Sequence, residues 1–135
     1  MNTDAEWITK RWGYSKLIHQ DQHVSVELAS GLKGGASSSH KHPHVANLFL
    51  CLSGVVDLYV GDDHFWRRLV KGVGADVKAG TWHRMYFVTD AELLELYSPE
   101  GEALLRMNDP ALERIVRADT GWEPGNAPPG WPKRE

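Results

Sequence analysis

The sequence predicts an all-β domain, and three observations carry that expectation. Short runs rich in β-branched, aromatic and leucine residues fall at 24–29, 45–52, 55–60, 65–70, 82–88 and 93–97, each of strand length. The separators between them (Ser30-Gly31, Ser53-Gly54, Gly72-Val73-Gly74, Thr89-Asp90) are built from turn-forming residues. Before residue 100 no stretch repeats its apolar positions with a helical period. A barrel or sandwich of short strands follows.

Bulk composition narrows the class. A chain of 135 residues, 41% hydrophobic and 24% charged, suits one compact soluble domain. A formal net charge of -3 offers no basic footprint for nucleic acid. The longest apolar run, 45–52, is interrupted by Asn47 and is less than half the length a membrane span needs. The first nine residues are polar with no apolar leader, and Cys51 is the single cysteine, so no internal disulfide can form. The compartment expected from this is the cytoplasm.

In chain order, residues 1–13 read as an N-terminal arm carrying Trp7 and Trp12, whose indoles should pack on the main body or on a partner subunit. Residues 14–98 read as the barrel. The run 45–52 is apolar on both faces, which predicts a central strand covered on its outer side as well as its inner one. Residues 99–121 form a C-terminal helical segment: Asn108-Asp109-Pro110 is a helix start, and Leu112, Ile115 and Val116 make an apolar stripe over 110–118. Residues 122–135, with four prolines and two tryptophans, read as an extended Pro-rich tail.

The chemistry concentrates in 34–54. His40 and His42 are two residues apart, and on an extended segment both imidazoles point to the same side of the backbone. Together they could grip one metal ion. Gly80-Thr81-Trp82-His83 could bring a third imidazole from another strand. Three histidines with positions left over describe an open, reactive metal centre better than a closed structural one.

The full spacing is Gly34, five residues, His40, one, His42, four, Asn47, six, Gly54; then Gly72, five, Lys78, one, Gly80, two, His83, three, Phe87. This resembles the two signature motifs of the cupin family, small β-barrels of jelly-roll type. The resemblance covers roughly 14–98 and implies a cupin-type jelly roll with His40, His42 and His83 as ligands of one divalent transition metal: Zn, Ni, Fe, Mn or Cu. Asn47 stands where most members carry a glutamate ligand, Lys78 replaces the usual proline and Phe87 the usual asparagine. The opening Trp12-Gly13-Tyr14 is similar to that of cupin domains in mannose-phosphate isomerase-type enzymes.

Asn47 decides how reactive the centre is. An amide oxygen is neutral and a weaker donor than a carboxylate, so as a ligand it leaves the ion more electrophilic; alternatively it hydrogen-bonds a ligated water from outside the coordination sphere. Phe49 and Cys51 share the face of Asn47, and Met85 and Phe87 that of His83, so these four are expected to wall a substrate pocket. His44, after Pro43, is expected at the pocket rim. Arg84 is sent by alternation to the face opposite His83, towards the surface, while Lys33, Arg67 and Arg68 are expected as solvated charges.

The leading functional expectation is a small metal-dependent enzyme acting on a small polar molecule such as a sugar or sugar phosphate, by isomerisation or epimerisation. That chemistry needs a base, and Glu27, Asp57 and Glu95 are the strand carboxylates whose orientation the sequence leaves open. The alternatives are a three-His Fe(II) dioxygenase and a non-catalytic module binding a small ligand. A homodimer is expected, since sheet edges need covering and the tryptophan-bearing segments 4–13 and 122–131 are natural covers.

Overall fold

The computed structural model describes residues 7–61, 65–99 and 115–116. In order, the strands are β1 (Ile8–Lys10), β2 (Gly13–Gln20), β3 (Ser25–Gly31), β4 (His40–Lys41), β5 (Val45–Ser53), β6 (Val56–Val60), β7 (Phe65–Leu69), β8 (Gly74–Val77), β9 (His83–Phe87), β10 (Ala91–Pro99) and β11 (Ile115–Val116). They form a six-stranded sheet, β1-β2-β3-β10-β5-β8, and a five-stranded sheet, β11-β4-β9-β6-β7. Every pairing is antiparallel. The all-β jelly-roll architecture is therefore as the sequence implies, with strand ends displaced by one or two residues.

Strands β1, β2 and β4 lie outside the runs read as strands, and two further regions differ from expectation. Gly74–Val77, at the edge of a stretch read as a turn, is strand β8 and closes one side of β5. Its brevity, and glycines at 72 and at its own first position 74, hide it from periodicity. The helix expected over 110–118 and the tail 122–135 lie outside the described residues, except that Ile115–Val116 pair as a strand with Lys41 and His40.

The space between the sheets is filled unevenly, and that gradient makes the site. Strand alternation assigns every second residue to the interior. Reading inward positions from one end, β3 runs Gly31, Ala29, Glu27, Ser25; β10 runs Ala91, Leu93, Glu95, Tyr97; β5 runs Cys51, Phe49, Asn47, Val45; and β9 runs Phe87, Met85, His83. One end is apolar and solid, joined by Val56, Leu58 and Leu69 in a single core. The other end is polar and open.

The N-terminal segment takes part in that core. Trp12 is buried and stacks on Phe87 with ring centroids 5.3 Å apart, while residues 8–10 form edge strand β1 beside β2. Gly13 makes this entry possible: its φ is +149°, and a Cβ there would lie 2.2 Å from the Ser30 carbonyl oxygen. Trp7 remains exposed.

The outer face of β5 is a correction to expectation. The strand is interior to its sheet, yet Leu48 and Leu52 are 43% and 37% exposed. Apolar residues on both faces identified an interior strand correctly but did not require the outward face to be covered within the described residues.

Candidate metal centre

His40 and His83 are direct partners across β4 and β9, and the chain leading to His40 explains why. From Gly34 onward the backbone is laced to β9: Gly34 N donates to Phe87 O and Ser37 N to Met85 O, at 2.8 and 3.0 Å. The Ser37 hydroxyl accepts from Met85 N at 2.8 Å. This lacing delivers His40 opposite His83. His42 is anchored one step later, where its carbonyl accepts from Gly80 N at 2.8 Å.

The three rings converge. Ring centroids lie 4.3 Å apart for His40 and His83, 5.2 Å for His40 and His42, and 5.5 Å for His42 and His83. One ligating nitrogen from each falls within 4.8 Å of the others, and all three side chains are buried. Tautomers follow from the partners. Nδ1 of His40 meets the Ser38 carbonyl at 2.8 Å and Nδ1 of His83 meets the Thr81 carbonyl at 3.0 Å. A carbonyl only accepts, so each Nδ1 carries the proton and each Nε2 presents its lone pair to the cluster, the arrangement metal-binding imidazoles use.

Asn47 faces the same region. It lies between Val45 and Phe49 on the inward face of β5, opposite Tyr97, whose ring meets His42 at 5.5 Å. Its side chain is 1% exposed, and neither Oδ1 nor Nδ2 has a hydrogen-bond partner among the described residues. A buried amide without partners costs roughly 1–3 kcal/mol, a cost that a metal or its ligated water would remove. The donor set of three imidazoles plus an orphaned amide thus fits a divalent transition metal.

A cavity of about 350 Å³ opens beside the histidines. His40, His42, Val45, Met85 and Tyr97 form one part of its wall, and Glu27, Glu95, Ser15, Ser25 and Lys10 another. Glu27 and Glu95 are direct cross-strand partners on β3 and β10. Ser15 Oγ donates to Glu27 Oε1 at 2.7 Å.

Of the residues expected to wall the pocket, Met85 does so, and the Phe49 ring packs 5.9 Å from that of His83. Cys51 and Phe87 do not: both are fully buried at the apolar end, where Phe87 stacks on Trp12. Burial pushes the Cys51 thiol above its ordinary pKa. His44 is exposed and is absent from the cavity wall.

The charged residues also sort themselves. Asp57, fully buried, turns away from the cavity and accepts from Arg68 Nε at 3.1 Å. That hydrogen bond holds the Arg68 guanidinium more firmly protonated than usual, so Arg68 is more than a solvated charge. Arg84 lies opposite Tyr59 on the face away from His83, but it is buried rather than at the surface. The sequence offered Glu27 and Glu95 without orientation. Lys10, Ser15 and Tyr97 were missed, and the only signal for Tyr97 was its alternation in phase with Leu93.

Three buried histidines whose ring nitrogens could together hold a metal ion lie at the polar end of a two-sheet jelly roll. The chain belongs to the cupin domain family, whose model matches residues 30–97. Among solved structures, it is similar to KdgF from Halomonas sp., with a TM-score of 0.65, 16% identity, and coverage of 76% of this chain and 94% of that one. TT1209 from Thermus thermophilus is 26% identical over 62% of this chain and 79% of its own, with a TM-score of 0.57. A variant of Bacillus subtilis oxalate decarboxylase gives 0.64 at 15% identity, covering 72% of this chain and 28% of that one. No curated protein matches the sequence.

Proposed function

We propose that this cupin is a small metal-dependent enzyme acting on a small polar molecule, by isomerisation or epimerisation of a sugar-like substrate. The observation that carries the reading is that His40 and His42, two members of the three-histidine cluster, line the same cavity as Glu27 and Glu95. His40, His42 and His83 would hold the ion, with Asn47 as a fourth donor or as the anchor of a ligated water. When bound, a divalent transition metal supplies Lewis acidity that polarises a substrate carbonyl.

The chain's own residues supply the rest. Ser15 orients Glu27, and Ser25, Gln20 and Lys10 offer hydrogen-bonding groups on the cavity wall. The volume of about 350 Å³ is at the small end of ligand sites. This favours a compact polar molecule over an extended chain. The dioxygenase and the simple binding module use the same histidines but leave the carboxylates of the cavity wall without a task.

A homodimer belongs to this proposal. Leu48 and Leu52 on the outer face of β5 and Ile8 on edge strand β1 are exposed apolar residues that a second copy would cover. A cytoplasmic location is proposed from the lone, buried Cys51. The functional test is turnover of a panel of aldoses, ketoses and their phosphates by the metal-loaded protein. Interconversion of one member, lost in His42→Ala, supports the reading, whereas iron-dependent oxygen uptake with no interconversion overturns it.

A further inference from the structure

Asn47 lies between two residues that touch the histidine cluster. Its cross-strand partner Tyr97 has its ring centroid 5.5 Å from that of His42, and Phe49, the next inward residue on β5, has its own 5.9 Å from that of His83. The Asn47 side chain is 1% exposed, and both Oδ1 and Nδ2 lack a hydrogen-bond partner among the described residues. A buried amide in this state marks a place where something bound completes the bonding.

The donors gathered here carry no negative charge. His40 and His83 keep a proton on Nδ1 and offer a neutral Nε2. Asn47 offers an amide oxygen, and the cluster of ligating nitrogens includes no carboxylate. Glu27 and Glu95 line the adjoining cavity together with Lys10, its one fixed cation among the described residues. The two glutamates stand outside the cluster, and the attraction between a charge and an ion weakens with distance. A glutamate at position 47 would cancel half the charge of a divalent ion at contact. With asparagine there, both charges are left for an incoming ligand to meet. An unpaired charge in a low-dielectric interior is costly, so the open positions favour an anion over a neutral molecule of the same shape.

We infer that this centre selects an oxyanion, a carboxylate or phosphate carried by its small polar substrate, and that Asn47 sets the preference by supplying a neutral donor where a carboxylate would compete. The inference rests on the proposed metal-dependent function and narrows its substrates to sugar acids or phosphate esters, in place of neutral sugars. Asn47 acts here as a specificity-determining residue.

The test needs no substrate, because the full-length protein loaded with Co(II) reports ligand exchange in its visible spectrum. Acetate, inorganic phosphate and acetamide are titrated at constant ionic strength, acetamide having the shape of acetate without its charge. Acetate or phosphate should bind at least about tenfold more tightly than acetamide, and the tighter of the two tells a carboxylate preference from a phosphate one. In Asn47→Glu, or in Asn47→Asp if the longer side chain does not fold, cobalt should be retained while oxyanion affinity falls about tenfold or more. If acetate and phosphate bind no more tightly than acetamide, or if oxyanion affinity is unchanged in a cobalt-loaded carboxylate variant, the inference is overturned and the metal reading stands. A protein that takes up no cobalt overturns both. On the sugar panel, interconversion of neutral members alone would support the functional reading and overturn the oxyanion preference.

Discussion

His40 and His83 face each other across the β4–β9 ladder with ring centroids 4.3 Å apart, each fixed by a hydrogen bond from Nδ1 to a carbonyl two residues earlier in the chain, Ser38 and Thr81 respectively. The same device on two strands sets both Nε2 atoms towards one point before any ion arrives. Pre-orientation of this kind lowers the ordering cost of ligation.

Asn47 should reveal its role through opposite effects on stability and metal affinity. Asn47→Leu removes a buried amide that has no partner, so the metal-free protein should gain roughly 1 kcal/mol in urea unfolding. Its metal affinity should fall. Asn47→Glu should do the reverse, raising affinity by adding a charge beside the ion while destabilising the metal-free fold. Unchanged affinity in both variants would put position 47 outside the coordination sphere.

The apolar end depends on a matched pair of residues. A Cβ at Gly31 would lie 2.0 Å from the Phe87 ring, which is fully buried and held by Trp12. Gly31→Ala should therefore cost about 1–3 kcal/mol through overpacking. Adding Phe87→Leu should restore part of it, as thermal unfolding of the single and double variants would show.

Cys51 should be chemically silent. It is fully buried at the closed end, with its thiol pushed up by desolvation and its Sγ 3.4 Å from the Ser53 carbonyl. Ellman's reagent should label the native protein far more slowly than the urea-unfolded protein. Rapid native labelling, slowed by a bound ligand, would return Cys51 to the cavity wall.

The histidines were legible in the sequence because their signal is local. Two residues at a spacing of two need only an extended backbone to share a face, and the second motif supplied the third ring. That Glu27 and Glu95 are cross-strand neighbours was not legible, because a register between strands distant in the chain brings them together. Phe87 misled for a related reason: inward phase alone cannot tell the filled end of a jelly roll from the open end. What separates them is the gradient along each strand, from Leu93 to Tyr97 and from Phe87 to His83. His44 follows the pair so closely that its exposure depends on the turn after β4, which spacing does not describe.

The most direct test of the central claim is element-resolved metal analysis of untagged protein, run side by side on the unmodified chain, His42→Ala and His44→Ala, with circular dichroism confirming that each is folded. The three-histidine centre predicts about one divalent transition metal per chain in the unmodified protein, almost none in His42→Ala, and nearly full occupancy in His44→Ala, whose side chain is exposed. An unmodified protein that takes up no metal on reconstitution, or a His42→Ala variant that retains as much as its parent, would contradict it.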